Sequence, residues 1–462
     1  MSTVDPNMFR VPAARALTVL DRSLFRTTLP TAAALVSDSR QLSRLRKDLE
    51  KTREILNVDK VKPVVGHPDP EKAKGGLKAL LLQPDVKPAA PESWSVVLKQ
   101  AKEAGEVDLI PYSVELDYYH FQYLDILRSI IPEELHDEIP TGFNSVGHVA
   151  HLNLREQYLP YKHIIGQVIL DKNPHLKTVI NKLSNVGTES EFRTFPYEVL
   201  AGRDDLNVEV KESGCIFQFD YGTVYWNSKL STEHERIVDL FQQGDVVVDV
   251  MAGIGPFAVP AGKKNVFVWA NDKNPESFKY LEKAIEKNRV GSFVRPYNED
   301  GHEFIQQSAD LVLAASRHGE FGTIPGPKPS RRSNAPPPAA PIKIPIAPVI
   351  SHFVMNLPAS ALEFLHNFRG LYHGQESLFA PHTPSQLPMI HAHCFAPKPN
   401  DDAAVQTALD RVEKELGVRL VQGNGEVEGQ ATVYDVRDVA PQKLMFCVSF
   451  RLPKDVAFAP RT

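Results

Sequence analysis

"VVVDVMAGIGPFAVPAG", residues 246–262, decides how the second half of this 462-residue chain is read. Its opening valines and aspartate predict a short, fully buried strand. Gly253, Gly255 and Ala258 then give G-x-G-x-x-A at a strand-to-helix turn. Glycine there permits a tight turn and lets a ligand approach the backbone closely. Taken alone, the motif also fits a purely structural turn.

The flanking segments narrow the choice. "DVVVDV" (245–250), "NVFVWA" (265–270), "SFVRPYN" (292–298) and "ISHFVM" (350–355) read as strands, separated by helical stretches such as "PESFKYLEKAIEKNRV". "PMIHAHCFA" and "KLMFCVSFRL" supply later strands, with "DDAAVQTALDRVEKELG" as a helix between them. Alternating strands and helices predict an α/β fold, a Rossmann-like, mostly parallel, doubly wound sheet.

Open α/β sheets bind ligands beyond the carboxyl ends of their strands, and polar residues collect there. Asp249 precedes the glycine loop. Asp272, 23 residues later in "NDKNP", is placed to accept hydrogen bonds from ribose hydroxyls, with Lys273 beside it. Asp300 and Gly301 in "NEDGH" end the third strand, where the acid can meet an adenine edge. Asn356 in "VMNLPASALEFL" (354–365) ends the fourth, held by Leu357-Pro358. A dinucleotide and S-adenosylmethionine both suit this arrangement. Pro256 removes an N–H where a dinucleotide fold would present donors to a pyrophosphate. S-adenosylmethionine has no phosphate to cradle, so a class I methyltransferase is preferred to a dehydrogenase. An amide at 356 can donate and accept toward a planar nitrogen base; a strand-to-helix cap is the structural alternative.

Hydrophobic residues make up 42% and charged residues 24%, an ordinary globular balance, and the net charge of -5 places any nucleic-acid-binding surface in a local basic patch. "RLRK" (44–47) and "SRR" (330–332) can touch phosphates or simply face solvent. No run approaches the ~20 apolar residues of a membrane helix. Cys215, Cys394 and Cys447 stand far apart, which predicts reduced thiols in an intracellular protein. "HAHC" (391–394) alternates as a strand does, and no metal site is assigned. Near the N-terminus Arg10, Arg15, Arg22 and Arg26 accompany Leu17, Leu20 and Leu24 at helical spacing. That pattern resembles a mitochondrial presequence, weakened by Asp5 and Asp21, or an ordinary amphipathic first helix. A mixed cytosolic and mitochondrial population would satisfy both.

Three textures follow one another. Residues 1–140 read as an α/β module. Residues 141–230 carry short β-rich runs ("VGHVAHLNL", "IIGQVILD", "TVINKL", "CIFQFDYGTVYW") and read as a small mixed α/β domain. Residues 231–462 are the Rossmann-like domain, interrupted over about 316–349 by a segment with nine prolines between Pro325 and Pro348. Such a stretch is expected to be an exposed, mobile insertion.

"FRTFPYEVLAG" (192–202), "VYWNSKLSTEHERI" (224–237), "VVVDVMAGIGPFAVPA" (246–261), "NDKNP" (271–275) and "VMNLPASALEFL" together resemble the eukaryotic and archaeal tRNA (guanine-37-N1)-methyltransferases. "HLNLREQYLPYKHIIGQVILDKNP" (151–174) is similar to that family's middle domain. The resemblance implies an N-terminal tRNA-recognition module, a linker domain and a class I methyltransferase that is monomeric and not membrane-bound. It implies methyl transfer from S-adenosylmethionine to N1 of the guanosine 3′ of the anticodon, and the first step toward wybutosine in tRNA-Phe. A cytoplasmic location with mitochondrial matrix and nuclear pools is expected.

Guanine N1 is not nucleophilic until its proton leaves, so a carboxylate base is useful, and a guanidinium can stabilise charge spreading onto O6. By resemblance the base maps onto Glu233 and the cation onto Arg193, with Asn356 holding the base edge. His234 maps beside the cofactor, and Tyr225 is a stacking candidate for an extruded base. "STEHERI" also satisfies a helix-start pattern, with Ser231 or Thr232 as cap and Glu233 favoured by the dipole. Two other functions compete: a related tRNA aminocarboxypropyl transferase using the same cofactor, and a non-catalytic RNA-binding protein with a vestigial fold.

Overall fold

The computed structural model describes residues 11–461 except 16, 184–191, 193, 327–339, 382–385, 398–400 and 441. By its internal contacts the chain divides into two units. The first takes residues 1–144, 149–182 and 197–205; the second takes 145–148, 183–196 and 206–462.

The first unit contains an antiparallel sheet in the order Val64–Gly66, Lys78–Leu82, Thr27–Val36 and Val107–Leu116. The helical spacing of Leu17, Leu20 and Leu24 predicted a first helix. The described residues hold instead a 3-10 turn at Arg22–Leu24 and then the Thr27–Val36 strand. Ala32, Ala33 and Ala34 are fully buried between two partner strands, so tertiary pairing overrides the helix propensity of an alanine run.

A second correction concerns "IIGQVILD", which lies in the helix Lys162–Lys172 rather than in a strand. Ile164, Ile165, Val168 and Ile169 recur on one face, and all are buried. Gly166 is required there because a Cβ would stand 2.6 Å from that of Leu200. Two of the "RLRK" cations are engaged in ion pairs: Arg44 with Glu106 at 2.6 Å and Arg46 with Glu50 at 2.7 Å.

The second unit opens with a hairpin, β1 (Asn207–Glu212) and β2 (Cys215–Asp220), followed by α1 (Ser231–Asp239). The main elements then run β3 (Val246–Asp249), α2 (Ala258–Lys263), β4 (Phe267–Asn271), α3 (Pro275–Asn288), β5 (Val294–Tyr297) and α4 (Gly301–Arg317). After them come β6 (Phe321–Ile324), β7 (Ile342–Pro345), β8 (His352–Met355), β9 (Met389–Pro397), α5 (Asp401–Leu416), β10 (Val421–Gln422), β11 (Gln430–Ala440) and β12 (Lys443–Arg451). The eight-stranded sheet has the order β5-β4-β3-β8-β9-β12-β11-β10. Its β5-to-β9 half is parallel, and β12 enters antiparallel beside β9. The expected mostly parallel, doubly wound sheet is present, with its order reversing between β3 and β8.

The Val246–Val248 run is entirely buried, as a central parallel strand covered on both faces requires. The hairpin, read with the middle domain, groups with this unit. Asn288 of α3 donates to Ile216 O at 2.7 Å and accepts from Ile216 N at 2.9 Å. α4 runs on through Arg317, and the antiparallel pair β6–β7 brackets the proline-rich stretch. Residues 327–339, Ser330–Arg332 included, lie outside the described residues. No helix among the described residues is long and apolar enough to cross a membrane.

Candidate active site at the switch between β3 and β8

Where strand order reverses, β3 and β8 lie side by side with Asp249 opposite Val354. This is the crevice in which doubly wound sheets hold ligands. Asp249 is fully buried, and no well-formed hydrogen bond reaches either carboxylate oxygen among the described residues, the Met251 N–H acting on it only as a minor counterweight to burial. Burial, and then the nearby Asp272, hold its carboxyl well above the usual range. Two residues beyond Val354, Asn356 likewise buries an Oδ1 that has no partner. Buried polar atoms are nearly always paired, and two orphans at adjacent strand ends make this crevice the candidate ligand site.

The glycine loop divides its work. Gly253 (φ 57°) donates its N–H to Asp272 Oδ2 at 2.7 Å, and a Cβ on it would meet nothing within 4 Å. Gly255 (φ 94°) is a packing position, where a Cβ would lie 2.7 Å from Leu281 and 2.8 Å from Val259. Asp272 also accepts from Asn274 N at 2.9 Å, and burial raises its carboxyl. Asn271 is fully buried, donating to Val250 O and Glu299 O and accepting from Glu299 N at 2.9 Å. It pins together the loops that follow three strands.

Asp300 caps α4 by accepting from His302 N at 2.9 Å and pairs with Lys273 at 3.1 Å. The His302 N–H, with help from Lys273, holds its carboxyl below the ordinary value. Gly301 follows in a tight place, where a Cβ would be 3.0 Å from Phe364 and 3.2 Å from Val250.

Glu233 sits in the first turn of α1 with only 1% of its side chain exposed. No side-chain cap forms at this helix start; the Glu233 carboxylate is taken by two cations instead. Arg236 donates from Nε to Oε2 at 2.6 Å and from Nη2 to Oε1 at 2.8 Å. His393 Nε2 on β9 lies 2.7 Å from Oε1. Burial alone would raise the carboxyl; Arg236 and His393 outweigh it and bring it down to about 2. Burial likewise opposes the His393 imidazolium, but Cys447 and Glu233 prevail and lift it to about 10. The other ring nitrogen, Nδ1, is 3.3 Å from Met355 O, which ties this cluster to the residue before Asn356. Glu233, His393 and Cys447 each offer a ligand-type atom within 4.8 Å of the others. The guanidinium of Arg236 already fills the charge role of a cation there, so the donor set is read as an ion-pair cluster.

His234, the next residue on α1, is buried, with Nδ1 2.6 Å from Glu212 Oε1 and its ring edge-on to Phe257 at 4.8 Å. Tyr225 is half-buried, its hydroxyl 3.4 Å from Asn227 Nδ2. Trp226 packs on Phe217 and Phe219 as a core residue.

Two family models match the chain, "TYW2 N-terminal domain" over residues 123–205 and "TRM5/TYW2 methyltransferase domain" over residues 208–319. The full-length relatives are more specific. A tRNA (guanine(37)-N(1))-methyltransferase of Fusarium vanettenii is 61% identical, covering 99% of this chain and 98% of the relative. The Neurospora crassa protein of the same name is 54% identical over 99% of this chain and 97% of its own length. The Schizosaccharomyces pombe one is 43% identical over 95% of each. The chain belongs to the tRNA (guanine(37)-N(1))-methyltransferase family. The fold agrees: Trm5b from Pyrococcus abyssi superposes with a TM-score of 0.55 at 22% identity, covering 92% of this chain and 99% of that one. A complex of aTrm5 with tRNALeu gives 0.55 at 19% identity, covering 91% and 99%.

In this methyltransferase Asp249, Gly253, Asp272, Asp300 and Asn356 all lie at or just beyond the carboxyl ends of β3, β4, β5 and β8. Arg193 lies outside the described residues. Sequence reasoning missed three members of the site. His393 was legible only as one letter of an alternating strand. Arg236, three residues after Glu233, carried an i,i+3 pairing signal. Asn271 opened the "NDKNP" motif but was passed over for the acid beside it.

Proposed function

We propose that the chain transfers the methyl group of S-adenosylmethionine to N1 of guanosine 37 in tRNA, with Glu233 as the proton acceptor. The observation that carries this reading is the pair of orphaned groups, Asp249 and Asn356, at adjacent strand ends beside the Glu233–His393 cluster. A buried carboxylate suits the ammonium of the methionine moiety, and the open space above Gly253 suits close approach of a ligand to the backbone. Asp272 and Asp300 retain lone pairs for ribose hydroxyls and an adenine edge. S-adenosylmethionine supplies an electrophilic methyl on a sulfonium. The protein's part is to bind the base, orient it and take its proton.

A carboxylate has about four acceptor positions. In Glu233 Arg236 and His393 occupy three, two on Oε1 and one on Oε2. We assign the remaining Oε2 position to the N1 proton. Arg193 is assigned to the O6 charge, Asn356 to the base edge, Tyr225 to stacking and His234 to the cofactor side. We assign the protein as a monomer acting on tRNA in the cytoplasm, with mitochondrial and nuclear pools.

The test is transfer from labelled S-adenosylmethionine to an unmodified tRNA carrying guanosine 3′ of the anticodon, followed by nucleoside analysis. N1-methylguanosine is expected. A product heavier by the aminocarboxypropyl group would establish the alternative transfer, and no product would remove the substrate assignment.

A further inference from the structure

A file of polar side chains leaves the Glu233 cluster and crosses three neighbouring strands. His391 and His393 alternate on β9 and so share a face. Their direct partners on β12 are Ser449 and Cys447. Cys447 Sγ is 3.6 Å from Ser449 Oγ, and Ser449 Oγ is 2.8 Å from His391 Nδ1. His391 Nε2 is 3.0 Å from His352 Nδ1 on β8, and His352 Nε2 is 3.7 Å from Asp245. His393 and His391 are 0% and 1% exposed, whereas the Asp245 side chain at the far end is 25% exposed.

One set of proton positions satisfies each hydrogen bond from Cys447 to His352 and leaves the 3.7 Å step to Asp245 as a close charge contact. The Cys447 thiol donates to Ser449 Oγ, the Ser449 hydroxyl to His391 Nδ1, His391 Nε2–H to His352 Nδ1, and His352 Nε2–H toward Asp245. Each group donates once in the same direction. A buried polar network is costly unless fully satisfied, and apolar residues would fill these strand positions at lower cost. A connected file from the proposed base to a solvent-facing carboxylate calls for a use.

We propose that this file is the proton exit of the methyl-transfer reaction, with Cys447, Ser449, His391 and His352 acting through His393 on Glu233. The proposal rests on the reading of Glu233 as base. The N1–H bond breaks and its electron pair forms the N1–methyl bond as the methyl–sulfur bond breaks, its pair staying on sulfur to leave a neutral thioether, and the proton binds Glu233. His393, with a ring nitrogen within 4.8 Å of Cys447 Sγ, passes a proton to that sulfur and recovers one from Glu233 on Nε2. Each later group accepts one proton and releases another, and Asp245 delivers one to water. One proton enters and one leaves.

The exit also answers a difficulty. A carboxylate held as low as Glu233 is a poor final resting place for a proton, and a route onward removes that burden. Burial keeps His391 well below the ordinary imidazole value and brings His352 to about 4, so both are neutral. The charged groups facing the file are Arg236 from α1, Asp249 from β3, Arg451 from β12, and Asp245.

The test uses the full chain in single-turnover methyl transfer to unmodified tRNA, in H2O and D2O and at varied buffer-base concentration. Wild type is compared with Ser449→Ala, His391→Gln and Glu233→Gln, each with its unfolding midpoint and cofactor affinity measured. A tenfold or larger fall in the chemical step of Ser449→Ala is expected, with affinity unchanged, an altered solvent isotope effect, and partial rescue by added buffer base. His391→Gln should behave alike, and it decides the matter where Ser449→Ala fails to fold. Wild-type rates in either folded variant, with Glu233→Gln inactive, would overturn the exit and leave the base. A slow variant insensitive to buffer base and isotope would also overturn it, as a packing effect. Full activity of Glu233→Gln would remove both readings.

Discussion

Glu233 and His393 are 160 residues apart in the chain and meet at 2.7 Å with side chains 1% and 0% exposed. With Arg236 on the other side, the carboxylate lies between two cations contributed by a helix and a strand. The arrangement fixes its ionisation and its rotamer at once. Breaking such a buried pair leaves an uncompensated charge, which typically costs about 3–5 kcal/mol.

An imidazolium stabilised up to about 10 contributes stability that is complete below the ordinary histidine value and is lost as pH rises through 10. The melting temperature of His393→Gln should therefore fall furthest below wild type near pH 6, and the gap should close toward pH 10. For Glu233 the sign reverses. Its contribution is present above the ordinary carboxyl value and is lost as pH falls toward about 2. Thermal melts across both ranges check the two limbs; a constant gap from pH 6 to 10 would show that His393 is held neutral.

Glu233→Gln should reduce the single-turnover rate by about 10²- to 10⁴-fold, the usual worth of a general base. Cofactor affinity should change little, because Asp249, Gly253 and Asp272 supply the cofactor contacts proposed here. The variant should also melt lower, since Arg236 and His393 then face no carboxylate. Equilibrium binding alongside rapid-quench kinetics separates the chemical loss from the structural one.

Much of the fold was readable because its signals are local. The Val246–Asp249 run, the Gly253–Gly255 turn and the polar strand ends announce a doubly wound sheet whatever the rest of the chain does. Clusters built from distant segments are not readable in this way. Glu233 looked like a helix-start carboxylate because its sequence neighbours favour that role, and only the register of β9 against β8 and β12 brings His393 to it. Leu17, Leu20 and Leu24 misled for the same reason: their spacing proposes a helix, and the chain instead forms a 3-10 turn at Arg22–Leu24 before entering a strand held by two partners.

Asp249→Asn should uncouple stability from ligand binding. The native carboxyl is buried without a well-formed hydrogen bond, so the neutral amide should leave the free protein as stable or more so. The same change removes the charge proposed to meet an ammonium, and the thermal shift on adding S-adenosylmethionine should shrink. Because burial raises the Asp249 carboxyl, cofactor binding by the native protein should release protons and tighten as pH rises through that raised value. Calorimetry in buffers of different ionisation enthalpy measures the release, and Asp249→Asn should show less of it.

The two loop glycines should fail in different ways when each is changed to alanine. At Gly255 a new Cβ would meet Leu281 at 2.7 Å and Val259 at 2.8 Å, on a backbone at φ 94°. Overpacking and left-handed strain each cost about 1–3 kcal/mol, so Gly255→Ala should lower the melting temperature even without ligand. At Gly253 the Cβ meets nothing, and φ 57° lies in the left-handed region that a non-glycine residue can enter at modest expense. Gly253→Ala should therefore fold with a small loss of about 1 kcal/mol, yet its methyl group would stand in the open space where the cofactor is placed. Its dissociation constant for S-adenosylmethionine should rise at least tenfold while its melting temperature stays near wild type. If Gly253→Ala binds the cofactor normally, the crevice above that glycine is not where the methyl donor lies.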